Sequence, residues 1–263
     1  MIIKEEDLLN YMSCPIKFLA SHNGHDIKRK TFNSCLHDAF NYLISKYTYE
    51  GVDNLEYKIK KYWDKVCYEN QDIIKNINVI HGWGRLYRAY EYLYNNKPNI
   101  MDLNVPYSLD IPGTDYTITG QLNILIDRGS QIEVLIPSFS KTKPDEFKRR
   151  SDLKCTIDAL VIKQVYNKMA VFTFYNFNQN SNDFAIRNTK DFDRLCLIVE
   201  NVCKGIESNI VYPHYGYECN SCAIKHLCSS WGASTNLDPY NPFKDGKRWE
   251  HGKKKKESYR HIS

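Results

Sequence analysis

No stretch of this 263-residue chain approaches the roughly 18 consecutive apolar residues that a membrane-spanning helix needs, so no span is expected. A basic leader is missing too. The chain opens Met1-Ile2-Ile3-Lys4-Glu5-Glu6-Asp7, acidic where a signal peptide carries positive charge. The expectation is a soluble, unprocessed cytoplasmic protein. Internal repeats are lacking. Wholesale disorder is excluded, because 42% hydrophobic and 25% charged residues leave enough apolar surface for a sizeable core. The length fits one large domain, or one domain with an elaborated helical insert.

Net charge is almost absent outside the C-terminus. From Lys244 onward eight basic side chains face Asp245, Glu250 and Glu257, which accounts for the whole formal charge of +5; residues 1–243 balance at 28 against 28. Such a tail is first a solvated end, and second a tether for a polyanion through counterion release. A second basic run, Lys141, Lys143, Lys148, Arg149 and Arg150, follows an expected strand and is the better candidate for nucleic-acid contact.

Helical periodicity dominates the first third. A short helix over Glu5–Ser21 is expected to break at Cys14-Pro15. Further helices are expected over Thr31–Tyr47, Asp53–Glu69 and Asp72–Tyr94, the last with Gly82 and Gly84 as weak points. The period then changes to that of strands over Leu103–Ile111, Tyr116–Asp127 and Gln131–Phe139, with turns at Pro112-Gly113 and Gly129-Ser130. Asp152–Lys168 returns to helix. Met169–Phe177 reads as a buried strand with a short partner at Phe184–Ile186, and Thr189–Ser208 as a final helix with acids in its first turn. The order is that of an α/β protein with a helical lobe in front. The expected divisions are a Cys-bearing segment and helical lobe over 1–98, a sheet core over 99–210, a cysteine loop over 211–235 and a basic tail over 236–263.

Nine cysteines without an export signal argue for metal or buried thiols rather than disulfides. Cys35, Cys67, Cys155, Cys196 and Cys203 fall within expected helices and read as small buried hydrophobes. The other four differ. Cys219-Asn-Ser-Cys222 followed by Cys228 gives C-x2-C-x5-C in a polar loop, and three nearby thiolates can converge on one centre. A tetrahedral site needs a fourth ligand. His226 and His214 are local candidates; Cys14, where the first helix breaks, is the better one. Zinc and a [4Fe–4S] cluster both accept four thiolates. A ligand from the far end of the chain, among Tyr11, Phe18, Tyr215, Tyr217 and Trp231, favours the cluster, because zinc fingers usually keep their ligands local.

A Cys-Pro near the start (Tyr11-Met-Ser-Cys14-Pro15-Ile-Lys-Phe18) with a C-terminal C-x2-C-x5-C resembles the iron–sulfur branch of the PD-(D/E)XK nucleases. That branch includes RecB-like and CRISPR-associated exonucleases and AddB-like subunits. The resemblance spans roughly residues 5–232. It implies a restriction-endonuclease-like core, a mixed central sheet flanked by helices, with an N-terminal helical lobe. It also implies that Cys14, Cys219, Cys222 and Cys228 hold a [4Fe–4S] cluster stapling the chain ends, with zinc as the alternative metal.

The family's catalytic motifs carry over imperfectly. His37, in Ser34-Cys35-Leu36-His37-Asp38, stands where the family has a helix histidine. Gly120-Gln121-Leu122-Asn123 matches the frame of G-x-x-D, with Asn123 in place of the metal-binding acid. In Ile132-Glu-Val-Leu-Ile-Pro137-Ser138-Phe139, Pro137 falls at the acid and Phe139 at the lysine of acid-x-Lys. The closing Q-x-x-x-Y motif is not legible in Asp152–Tyr166. Lys141 and Glu133 are the candidates for migrated ligands. A phosphodiesterase of this type needs a hard cation held by carboxylates, to polarise the phosphate and activate water. Asn brings no charge and Pro no side-chain ligand, so Mg2+ or Mn2+ is not expected.

The expectation is therefore a catalytically inactive nuclease-like iron–sulfur protein. It would act as a nucleic-acid-binding or scaffolding subunit of a DNA replication, recombination or transcription assembly, with DNA favoured over RNA, other protein subunits as partners and no membrane. Two alternatives stand beside it. One is an active metal-dependent exonuclease or endonuclease whose ligands have migrated, using His37, Asp127 and Glu133. The other is a pure protein-interaction subunit.

Overall fold

The computed structural model describes residues 1–25, 30–142, 145–216, 219–220 and 222–228. Lys143, Tyr217, Trp231 and the basic tail from Lys244 lie outside the described residues. Strand β1 (Ile2–Lys4) leads into helices α1 (Glu5–Ser13), α2 (Pro15–His22), α3 (Phe32–Glu50), α4 (Leu55–Glu69) and α5 (Asn76–Asn96). Strands β2 (Ile100–Asp110), β3 (Thr117–Asp127) and β4 (Gln131–Ser138) follow, then α6 (Glu146–Ser151), α7 (Leu153–Tyr166), β5 (Met169–Asn176), β6 (Ser181–Ile186) and α8 (Thr189–Glu207).

The architecture is α/β, a mixed six-stranded sheet flanked by helices. Strand order is β1-β3-β4-β5-β6, with β2 also on β3. Strands β3 and β4 are antiparallel, Leu125 opposite Val134, and β5 and β6 are antiparallel, Val171 opposite Ile186. Between them β4 and β5 run parallel from Gln131 opposite Met169 to Ser138 opposite Asn176. A parallel pair needs a long crossover, which α6 and α7 supply.

Local chemistry sets the element ends. Thr31 and Ser34 form a capping box at the start of α3, each side chain accepting from the other's backbone N–H, at 3.2 and 2.8 Å. Gly51 ends that helix at φ 76°, a conformation that suits glycine. Pro15 opens α2 at its first turn, and Cys14 before it is extended (φ −165°, ψ 115°), as the residue before proline prefers. The break therefore leaves Cys14 between two helices.

The chain divides into two units. The larger (Lys30–Asp110 and Thr119–Cys196) has one apolar core that α3, α4 and α5 share with the sheet: Phe40, Leu43, Trp63, Leu86, Ile124, Ile126, Leu135, Phe139 and Phe177 all belong to it. Gly82 proves to be a packing position rather than a weak point. A Cβ there would stand 2.2 Å from Cζ2 of the fully buried Trp63, so the close approach of α4 and α5 requires glycine. Gly84 faces open space. The smaller unit comprises Met1–Arg29, Ile111–Ile118 and Leu197–Ser263. In it Tyr11 donates to the Ile210 carbonyl at 2.5 Å, and the Met1 ammonium donates to the Asp115 carbonyl at 2.8 Å.

Candidate functional site

Helix α3 and strands β2, β3 and β4 line a surface cavity of about 360 Å³ in the larger unit, open to solvent at the exposed Asn41, Tyr49, Asn104 and Asn123. Its helical wall is His37, Asn41, Ile44, Ser45 and Tyr49, a single face at steps of three and four residues. Its strand wall is Leu103 and Asn104 from β2, Asn123 and Ile124 from β3, and Ile136 and Pro137 from β4. Three of the four motif positions singled out in the sequence, His37, Asn123 and Pro137, thus line one space. None of the lining side chains is a carboxylate, a lysine or an arginine. Asn41, Ser45, Tyr49 and Asn104 were missed by motif reasoning. The helical period counted onward from His37 would have found the first three.

The fourth position, Phe139, is buried in the core, with its ring edge-on to His37 at 5.2 Å. Burial holds the His37 pKa below its ordinary value, opposed by Asp38, so the imidazole is neutral at pH 7. Behind Phe139, the buried Arg85 of α5 donates Nη1 to the Phe139 carbonyl at 2.9 Å and lies 5.5 Å from the Phe32 ring. That guanidinium is tied into the core rather than offered to the cavity.

The candidates for migrated ligands are engaged elsewhere. Glu133 is buried and accepts from Arg128 Nε at 2.7 Å. Asp127 accepts from Lys168 Nζ at 3.0 Å and from the Gly129 N–H at 3.0 Å, and these bonds hold its carboxyl below the usual carboxylate range. Lys141 is exposed beyond the end of β4, its backbone carbonyl accepting from Gln179 Nε2 at 2.8 Å. None of the three lines the cavity.

The four singled-out cysteines belong to the smaller unit. Ile16, Ala20, Val211, Ile224 and Cys228 form a buried cluster, against which Cys14, Leu19 and Cys222 pack. The chain ends are also joined by His214, whose Nδ1 lies 2.8 Å from the Ser13 carbonyl oxygen. Cys219 begins the turn and donates its thiol to the His214 carbonyl at 3.5 Å. Three of the four sulfurs, those of Cys14, Cys222 and Cys228, thus lie on one apolar cluster. Among the described residues no three His, Cys, Asp or Glu side chains form a group able to hold a metal ion. The remaining five thiols are in helices: Cys35, Cys67, Cys155 and Cys203 are buried and Cys196 half-buried. Burial pushes Cys67 and Cys203 up to about 11.

Of the basic run, Lys148, Arg149 and Arg150 ride on α6, which Asp145 caps by accepting from the Lys148 N–H at 2.7 Å. Arg149 reaches Asp183 at 3.7 Å and Arg150 reaches Glu146 at 2.5 Å. Among the described residues Lys141 and Lys148 make no ion pair. The Arg150–Glu146 pair is exposed and contributes about 0–1 kcal/mol, whereas Arg149 is half-buried against Asp183.

No helix among the described residues is long and apolar enough to cross a membrane. No protein-family model matches the chain, and no curated protein does. Among solved structures, the one titled "Crystal structure of SSO0001" is similar at 13% identity, covering 82% of this chain and 94% of that chain, with a TM-score of 0.38, a likeness too loose to bear on fold or function.

Proposed function

We propose that this chain is a catalytically inactive PD-(D/E)XK nuclease-like iron–sulfur protein. It serves as a nucleic-acid-binding or scaffolding subunit of an assembly that works on DNA. The observation that carries the reading is the cavity in which His37, Asn123 and Pro137 meet with no acidic side chain among its lining residues. Hydrolysis of a phosphodiester by a bound cation requires hard anionic ligands. An asparagine carbonyl and a proline do not supply them, and Asp127 and Glu133 are held by Lys168 and Arg128.

The order of elements supports the same reading: a helix, three strands, a helical crossover, then a strand parallel to the third. Cys14, Cys219, Cys222 and Cys228 would hold the [4Fe–4S] group, which when bound supplies a rigid covalent link between segments at the two ends of the chain. The protein's own residues do the rest. Lys141, Lys148 and Arg150 present charge to a phosphate backbone, with Arg149 drawn in against Asp183, and this contact positions without reading sequence.

Metal analysis of anaerobically purified protein, combined with a nuclease assay in Mn2+, tests the proposal. Four irons per chain and no DNA degradation are expected, with binding to labelled DNA that weakens steeply as salt rises. Cleavage lost on His37→Ala would restore the active-enzyme reading. Salt-insensitive failure to bind DNA would leave a protein-interaction subunit, and one zinc per chain would replace the cluster.

A further inference from the structure

The cavity has a chemistry of its own beyond its missing acids. Its polar lining is three asparagines (Asn41, Asn104, Asn123), Ser45, Tyr49 and His37, and its walls are the aliphatic Ile44, Leu103, Ile124 and Ile136 with Pro137. Asn41, Asn104 and Asn123 are exposed at its mouth, and among the described residues their amides make no hydrogen bond within the protein, so a ligand can reach their donors and acceptors. Asn104 holds a left-handed backbone (φ 54°) within β2. Such an irregularity in a strand re-aims a side chain and recurs beside binding sites.

An amide presents a donor and an acceptor side by side, the pattern that pairs with the edge of a nucleobase, adenine above all. Aliphatic walls with a few placed polar groups suit a flat ring, and the volume falls in the range of small-molecule sites. Phosphate is a poor occupant, because no lining side chain is cationic and the lone imidazole is neutral.

We propose that the cavity takes an uncharged nucleobase, adenine in preference, recognised by the amides of Asn41, Asn104 and Asn123 between aliphatic walls. The base comes either from a single strand whose backbone the basic residues hold or from a free nucleoside. For the strand as source the inference rests on the nucleic-acid reading above; for the chemistry of the site it rests on the cavity alone.

The experiment uses the full-length chain with three probes: a labelled single-stranded oligodeoxyadenosine, the same strand made abasic, and free adenosine. Intact strand binding roughly tenfold tighter than the abasic one is expected, with Asn123→Ala erasing that difference and leaving the salt dependence unchanged. Asn41→Ala, on an exposed helix position, should do the same, and an unaltered thermal melt shows that each variant folds. If intact and abasic strands bind equally in wild type and variants, the nucleobase site is overturned while the nucleic-acid reading survives. If adenosine binds in an Asn123-dependent way and no strand binds, the site stands with a free nucleoside as its source, and the nucleic-acid reading falls. Displacement by a neutral disaccharide and not by adenosine overturns the proposal in favour of a sugar site.

Discussion

The two regions singled out for chemistry differ in the kind of donor they hold. The smaller unit holds five thiols, and three of them, Cys14, Cys222 and Cys228, lie on one apolar cluster with Ile16, Ala20, Val211 and Ile224. The cavity in the larger unit has Asn123 and Pro137 where the resemblance calls for acids, and Phe139, where it calls for lysine, is buried in the core behind it. One region has soft donors and the other lacks hard ones. The physical difference is that a metal centre held in a folded chain contributes its binding energy to folding, whereas catalytic carboxylates crowded at one site repel each other and contribute little to stability. On the reading proposed here, loss of activity removes the reason for the acids and leaves the reason for the sulfurs intact.

The largest expected effect breaks the first half of this comparison. Cys14→Ser and Cys219→Ser should each abolish iron retention and destabilise the protein to a similar extent, because each removes one ligand of a site whose occupancy is coupled to folding. Iron content and denaturant midpoint read both quantities. A Cys14→Ser protein with full iron and an unchanged midpoint would detach that residue from the centre.

The next effect rebuilds the second half. Asn123→Asp with Pro137→Asp restores two carboxylates to a space that His37 already lines. Millimolar Mn2+ binding should appear, worth about 4 kcal/mol at the standard state, where wild type shows none. Calorimetry or water-proton relaxation by Mn2+ measures it. Persistent failure to bind would show that the cavity, and not only its side chains, has moved away from cation chemistry.

Much of the fold was legible because each long element carries one period. The expected breaks at Cys14-Pro15 and the strand-rich middle match the observed helices and β2–β5 closely, since Pro and the turn glycines act through local sterics. Strand β1 and helix α6 were missed. One has three residues and the other six, too short for a period to register. At the site, His37, Asn123 and Pro137 were legible only through a motif frame. Asn104 was not, because its place depends on a left-handed turn within a strand. Gly82 was misread for the same kind of reason: sequence shows a poor helix former and not the Trp63 ring against it. That contrast gives a third prediction. Gly82→Ala should destabilise by about 1–3 kcal/mol through overpacking, despite better helix propensity. Gly84→Ala, facing open space, should stabilise by up to about 1 kcal/mol. Paired thermal melts decide it.

The smallest effect concerns the imidazole on the cavity wall. His37 is held below its ordinary pKa of 6.5 by burial against Phe139, with Asp38 opposing. Above 6.5 the imidazole is neutral in both folded and unfolded chains and adds no pH dependence. As pH falls through 6.5, the unfolded chain takes up a proton that the folded chain refuses, so stability drops, and it levels off only below the folded pKa. His37→Gln removes the titration while keeping a polar side chain of similar reach. Wild type should therefore lose more stability than the variant between pH 7 and pH 5. Equal losses would mean that the ring protonates freely in the folded protein. The cavity would then carry a positive charge in mild acid, and an uncharged base would no longer be its best-matched occupant there.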